Sequence, residues 1–350
     1  MESSSPRRGL LERLALGPVI CAEGYLFAME RRGYLQAGAY VPEVVLDHPE
    51  EVRQLHRQFV HAGSDVVVAF TYYAHREKLR IIGKEHLLKP LNRAALAIAK
   101  EAAEETGCLF AGDISNTNIY DPGDPATHRH VRAMFEEQVG WAVEAGADYI
   151  IAETIGFVEE ALIALETIRR AGLPAVVTMA IHRKPVTREG LPVEDACRRL
   201  ADAGADVVGF NCIRGPKTML PLLEKVRAAV TVPVAGLPVP YRTSDAQPTF
   251  QSLRDPDCDL LPDGMAFPTA LDPFTCNRYE IADFARKAYA QGVRYMGVCC
   301  GAGPHHIRSM AEALGRTPPT SRYSPDMSRH AFLGTDPSLR RHNVEFRGEL

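Results

Sequence analysis

The sequence predicts an α/β protein. Within that class it predicts a (β/α)8 barrel of the TIM type, with a long insertion before the last strand and a short irregular C-terminal tail. Three observations lead there. Short, continuous apolar runs such as Asp65-Val66-Val67-Val68-Ala69-Phe70 are what doubly covered parallel strands show, and they alternate with helical patterns along most of the 350 residues. The alternation repeats until eight strands are counted, each next to a helix. Several helices end in pairs such as Ala62-Gly63, Ala145-Gly146, Ala171-Gly172, Ala203-Gly204 and Gln291-Gly292, where glycine supplies the left-handed turn that closes a helix. An open doubly wound sheet would carry a glycine-rich phosphate fingerprint after its first strand, and Gly24 alone does not make one.

In order, a helix over Leu10–Leu16 leads to the first strand at 18–22, and Glu23-Gly24-Tyr25 turns out of it. A helix over 49–62 precedes strand 65–70. Helices over 91–106, 128–145, 158–171 and 193–203 precede strands 109–112, 149–152, 175–180 and 207–210. A helix over 219–229 leads to strand 232–237, one over 281–291 leads to strand 294–298, and a helix over 304–314 closes the pattern. Residues 239–280 form the insertion, rich in Pro and Asp, and a loop of that length is usually functional or mobile. The resulting division is a disordered N-terminus over 1–8, a barrel over 9–315 and a tail over 316–350.

Bulk properties narrow the function. The chain is 46% hydrophobic and 24% charged with a net charge of -4, so nothing points to nucleic acid or an anionic membrane as partner. No apolar run reaches bilayer length and the N-terminus has no apolar signal core, so a cytoplasmic location is expected. In that compartment the eight cysteines are expected to be reduced.

Three of those cysteines lie at strand ends. Cys212 ends Gly209-Phe210-Asn211-Cys212, and Cys299 and Cys300 lie in Gly297-Val298-Cys299-Cys300-Gly301. In a barrel of this class the active site is built at the carboxyl ends of the strands. The same face then gathers Glu23, Thr71-Tyr72-Tyr73, Asp113, Glu153, Asn211 and the three thiols. A metal site with three protein ligands keeps one tetrahedral position open, which suits catalysis, and soft thiolates favour zinc.

With those motifs in place the chain resembles the homocysteine-binding barrel family of zinc-dependent methyltransferases, and within it the betaine–homocysteine S-methyltransferases. The resemblance covers about residues 9–315. It is carried by the two cysteine motifs, by Gly9-Leu10-Leu11-Glu12-Arg13-Leu14, His48-Pro49-Glu50-Glu51-Val52-Arg53-Gln54-Leu55-His56-Arg57 and Phe70-Thr71-Tyr72-Tyr73-Ala74, and by Pro304-His305-His306-Ile307-Arg308. It implies Zn2+ held by Cys212, Cys299 and Cys300, with the sulfur of homocysteine as fourth ligand, and methyl transfer from glycine betaine or a related onium donor to give methionine. It implies that Glu153 holds the homocysteine amino group, that Tyr73 and Tyr40 line an aromatic cage for the onium group, and that Asn211 orients the metal loop or substrate. Glu153 and Tyr73 are the implied catalytic pair. Homocysteine and a betaine-like donor are the implied partners, and a homo-oligomer is compatible with the resemblance.

Four departures accompany it. Ala22-Glu23-Gly24 stands where the family has Asp-Gly-Gly, so Glu23 is the substitute carboxylate. Thr154 replaces a tyrosine of the betaine site and Ala69 a threonine near the substrate, and the tail is far shorter than the dimerisation arm of the animal enzymes. Alternatives are a sulfonium donor (S-methylmethionine or dimethylsulfoniopropionate), a non-catalytic zinc- or thiol-binding barrel, and a zinc hydrolase. Three thiolates make zinc a poor Lewis acid for the last of these.

Overall fold

The structure is a computed structural model that describes residues 8–350; the disordered start expected over 1–8 lies outside the described residues except for Arg8. Eight parallel strands close into a barrel in sequence order: β1 (Val19–Ala22), β2 (Val66–Val68), β3 (Leu109–Ser115), β4 (Tyr149–Ile155), β5 (Ala175–Met179), β6 (Val207–Asn211), β7 (Val234–Leu237) and β8 (Val293–Val298). β1 zips onto β8 from Val19–Tyr295 to Ala22–Val298, which removes both sheet edges. Every strand residue except Arg294 is buried, because helices cover the outside and side chains fill the inside.

The outer ring follows from local sequence. The helix Leu88–Thr106 buries Leu91, Ala95, Ala99 and Ala102 at helical spacing and ends on left-handed Gly107. Asp124 caps Pro125–Ala145 by accepting from Ala126 N at 2.9 Å, and Asn277 with Glu280 forms a capping box on Arg278–Ala290. Among the described residues no helix is long and apolar enough to cross a membrane.

Differences from the sequence reading fall at the mouth. β3 and β4 run on to Ser115 and Ile155 because they pair with each other as far as Ser115–Glu153, so Asp113 lies inside its strand. β2 is shorter than expected, and the turn after β1 is a helix, Tyr25–Arg31, whose apolar face (Tyr25, Leu26, Phe27, Met29) is buried. Two further short helices, Val44–Asp47 and Arg76–Ile81, lie where the sequence reading assigns no element. Up to the start of helix Arg278–Ala290 the insertion holds only single 3-10 turns, yet Tyr241, Phe250, Leu253 and Leu271 are buried, and Phe250 N donates to Ile213 O at 2.9 Å. It is packed beside the loop that carries Cys212.

The tail adds 3-10 turns and a short helix, Arg341–Glu345, and is largely exposed. It is tied down at its start. Arg316 pairs with Asp65 at 2.6 Å and donates to the Pro18 carbonyl, at the amino ends of β1 and β2 and therefore opposite the mouth.

Candidate active site and metal centre

Cys212 follows β6 directly, and Cys299 and Cys300 follow β8, so the closed barrel brings the three thiols together. Their sulfurs all lie within 4.8 Å of one another, with Cys299 Sγ and Cys300 Sγ 3.9 Å apart. Thiolates bound tetrahedrally at the usual metal–sulfur distance sit about 3.8 Å apart, so the cluster fits one ion. The Cys299 and Cys300 thiols donate toward Cys212 and hold its pKa well below that of an ordinary thiol, and the same bonds raise theirs. The backbone around them is specialised. Cys212 and Ile213 both have left-handed φ, 55° and 58°, and Gly301 (φ 94°) lies so close to Tyr241 that a Cβ there would come 2.1 Å from its hydroxyl. Arg31 donates to the Tyr241 hydroxyl at 3.1 Å and pairs with Asp272, bracing that contact from behind.

Below the thiols lies a small chamber of about 20 Å3 walled by Glu23, Asp113, Glu153 and Cys299. Three buried carboxyls here have only partial hydrogen bonding. Asn211 Nδ2 donates to Glu153 Oε2 at 2.5 Å and to Glu23 Oε2 at 3.3 Å, and the Thr154 hydroxyl donates to Glu153 Oε2 at 3.0 Å. Glu23 Oε1 and Asp113 Oδ1 have no partner although both are buried. Burial, followed by the Cys212 charge, pushes Glu153 up to about 7; burial followed by Glu153 raises Glu23 and Asp113 well above the carboxylate range. Three crowded carboxyls, two of them with a buried oxygen that has no partner, leave polar capacity unmet in the chamber. A chamber of this size admits about one water-sized group, which is also the size of an ammonium.

Asn211 is held from the other side. Its Oδ1 accepts from Thr154 N and from the Thr178 hydroxyl, each at 2.9 Å, which fixes the amide so that Nδ2 faces the carboxyls.

Above the thiols opens a cavity of about 290 Å3, whose wall includes Tyr40, Tyr73, Cys212, Cys300, Phe157 and Arg188. Tyr40 stacks on Phe27 with ring centres 5.8 Å apart, and its buried hydroxyl has no partner. Tyr73 is present as expected, but Lys78 Nζ sits 3.9 Å from the centre of its ring, so one aromatic face is already occupied by a cation. Seven non-glycine residues among those described have left-handed φ, and six of them line this cavity: Tyr40, Tyr73, Asn118, Thr154, Cys212 and Ile213. Strain of that kind collects where a site over-determines its backbone.

The structure therefore brings all eight sequence-predicted site residues to one mouth. Sequence reasoning placed Asp113 at the mouth but gave it no role in the site, and it missed Phe250 and Phe267 from the insertion, Lys78 on Tyr73, and Arg188. Asp113 carried a usable signal, an acid at a strand end; Phe250, Phe267 and Arg188 come from segments far apart in the chain, and Lys78 reaches Tyr73 from the helix Arg76–Ile81 just after it.

Comparison with known proteins supplies the lineage. A family profile described as homocysteine S-methyltransferase matches residues 25–314. The chain belongs to the homocysteine S-methyltransferase family. Betaine–homocysteine S-methyltransferase 1 of Danio rerio is 39% identical, over 88% of this chain and 76% of that protein. The S-methylmethionine–homocysteine S-methyltransferase BHMT2 of Pongo abelii is 36% identical, over 95% of this chain and 90% of that protein. Among solved structures, the metallated homocysteine methyltransferase MmuM of Escherichia coli matches with a TM-score of 0.65 at 19% identity, covering 85% of this chain and 96% of that one. At that identity the likeness speaks for the fold alone. Relatives named for two different donors lie at nearly the same identity, so identity does not choose between donors.

Proposed function

We propose that this protein is a zinc-dependent homocysteine S-methyltransferase that takes its methyl group from an onium donor of the glycine betaine type. The observation that carries the reading is the vertical order of the site: an ammonium-sized acidic chamber, three thiols within 4.8 Å, and an aromatic-walled cavity above them. Homocysteine has an ammonium at one end and a thiol at the other, and this order matches it. The barrel over 9–315 carries every group in the reading, and residues 316–350 are an appended tail.

Cys212, Cys299 and Cys300 would hold the zinc. When bound, the ion keeps a ligated thiol deprotonated at neutral pH, where a free thiol is mostly protonated. Glu23, Asp113 and Glu153 receive the homocysteine ammonium, and its charge satisfies the two orphaned oxygens. Asn211 holds Glu153 and Glu23 in register with β6. Tyr40 and the free face of Tyr73 offer aromatic surface to the onium group, which has no hydrogen to donate. Insertion residues Phe250 and Phe267 wall the cavity and exclude water from it. In transfer, the new sulfur–methyl bond forms as the methyl's bond to the donor's onium atom breaks. That electron pair stays on the donor, which leaves as a neutral amine or sulfide, while homocysteine becomes methionine. The proton given up by the thiol goes to solvent before the step.

A sulfonium donor is the second reading, favoured by the Lys78 contact that removes one face of Tyr73 from the cage. Methionine formation from homocysteine with a donor panel tests both readings at once. Zinc-loaded protein that makes no methionine with any donor would refute them. Cys299→Ser is expected to abolish metal retention and to lower turnover at least a thousandfold; full turnover in protein shown by elemental analysis to be metal-free would overturn the thiolate site.

A further inference from the structure

The loop after β5 carries His182, Arg183, Lys184 and Arg188 within seven residues. Together with Arg254 of the insertion it walls a second cleft of about 620 Å3, and no Asp or Glu lines that cleft. Arg183, Lys184, Arg188 and Arg254 stand in no ion pair among the described residues, in a chain whose net charge is -4. The cleft is continuous with the donor cavity, because His182, Arg188 and Gln251 line both.

Arg188 stands where the two meet, and it is held there. Its guanidinium lies over the Phe157 ring, 4.4 Å from the centre, and its backbone N–H donates to Gly156 O at 3.0 Å. A Cβ on Gly156 would come 2.7 Å from Arg188 Cδ, so the side chain lies flat across that glycine. The loop itself is a tight hairpin: Thr187 N donates to Leu191 O at 2.8 Å, and Val186 bridges Pro192. Glu160 shares the cavity wall, but its Oε1 accepts from Thr117 N and Oγ1 at 2.8 and 2.6 Å. The guanidinium is thus fixed by stacking and stands in no ion pair among the described residues; the acid its charge acts on, Glu160, is committed to Thr117, so the guanidinium edge is free to take a carboxylate.

We propose that Arg188 seats the carboxylate of the methyl donor at the inner end of this cationic cleft, which makes the enzyme selective for onium carboxylates that carry no amino group. The inference rests on the methyltransferase reading above. The charge argument is direct. Glycine betaine and dimethylsulfoniopropionate have one cationic centre and one carboxylate, with zero net charge. S-methylmethionine adds an ammonium and carries a net positive charge into a rim of four cations, and choline offers no carboxylate. The cleft also favours the approach of anionic groups along the path to the cavity, an effect that salt weakens.

The test is methyl transfer from each of these four donors by the zinc-loaded full chain, wild type and Arg188→Gln, with glycine betaine and dimethylsulfoniopropionate binding followed in parallel by calorimetry. Wild type is expected to show kcat/KM at least tenfold higher for one or both carboxylate donors than for S-methylmethionine or choline; the betaine and dimethylsulfoniopropionate arms decide between a nitrogen and a sulfur centre. Arg188→Gln is expected to raise KM and Kd for the preferred donor at least tenfold, with zinc content and homocysteine KM unchanged, and Arg188→Lys to recover part of the loss. Transfer that proceeds with donor KM within twofold of wild type in Arg188→Gln, or with S-methylmethionine as the best donor, overturns the inference and leaves the methyltransferase reading standing. Absence of transfer from every donor overturns both.

Discussion

Asn211 concentrates more of the site in one side chain than any thiol does. Its amide joins β4, β5 and β6 and faces two carboxyls of the chamber. Asn211→Ala leaves Thr154 N–H and the Thr178 hydroxyl without their acceptor and takes a donor from Glu153. The expected cost is about 2–4 kcal/mol in urea unfolding of the metal-loaded protein, with weaker homocysteine binding. A loss below about 0.5 kcal/mol would show that the network is idle. At this scale the sequence was informative where chemistry sits at a strand end, as with Glu23, Glu153, Asn211 and the cysteines. It was silent where a residue matters through a side-chain contact that only the fold makes. Nothing near Tyr73 in a one-dimensional reading says that Lys78 covers one of its faces, and nothing near Arg188 says that it lies on Phe157.

Single elements carry their own tests. The loop after β8 depends on Gly301, whose φ of 94° and closeness to Tyr241 both exclude a side chain. Gly301→Ala is expected to displace Cys299 and Cys300 and to weaken zinc retention at least tenfold against a chelator, while the barrel keeps its far-ultraviolet signature. On the helix Pro49–His61, His56 packs against Tyr25 with ring centres 5.0 Å apart, and both its nitrogens are buried without partners. Burial lowers its pKa to about 3, with Arg53 adding to the effect. Between that value and the unfolded value of about 6.5, the unfolded chain binds a proton that the folded chain does not. Stability from this group is therefore full above about 6.5 and lost as pH falls. His56→Phe is expected to flatten the acid side of the stability curve by about 1.4 kcal/mol per pH unit between pH 6 and 4, relative to wild type. Equal slopes for the two proteins would refute the assignment. The helices were legible from periodicity and their closing glycines. Helix Tyr25–Arg31 was missed because Gly24 offers no capping side chain, so nothing marked its start. β3 and β4 were cut short because Asp113, Ser115 and Glu153 read as loop, and only their mutual pairing makes them strand.

For the whole molecule, the two faces of the barrel divide the work. The mouth holds the strained backbone and the unpaired acids, and the opposite face holds Arg316 against Asp65 and the Pro18 carbonyl. Arg316→Ala is expected to lower stability by about 1 kcal/mol, a figure discounted because the pair is partly exposed, and to leave donor and homocysteine kinetics unchanged. A kinetic defect equal to the stability loss would mean that the faces are coupled. The barrel was readable because closing eight strands leaves few alternatives, whereas the path of residues 239–280 was not, since its buried aromatics follow no period. One residue joins what the mouth otherwise keeps apart. Arg214 lies two positions beyond Cys212, and its buried guanidinium donates to the carbonyls of Ile181, His182 and Arg183, at the root of the basic loop. The segment that carries Cys212 therefore also holds the root of the loop on which Arg188 lies. On the proposed reading this shared segment predicts linkage: whatever factor an ion at the thiol cluster adds to donor binding, the donor returns to ion binding.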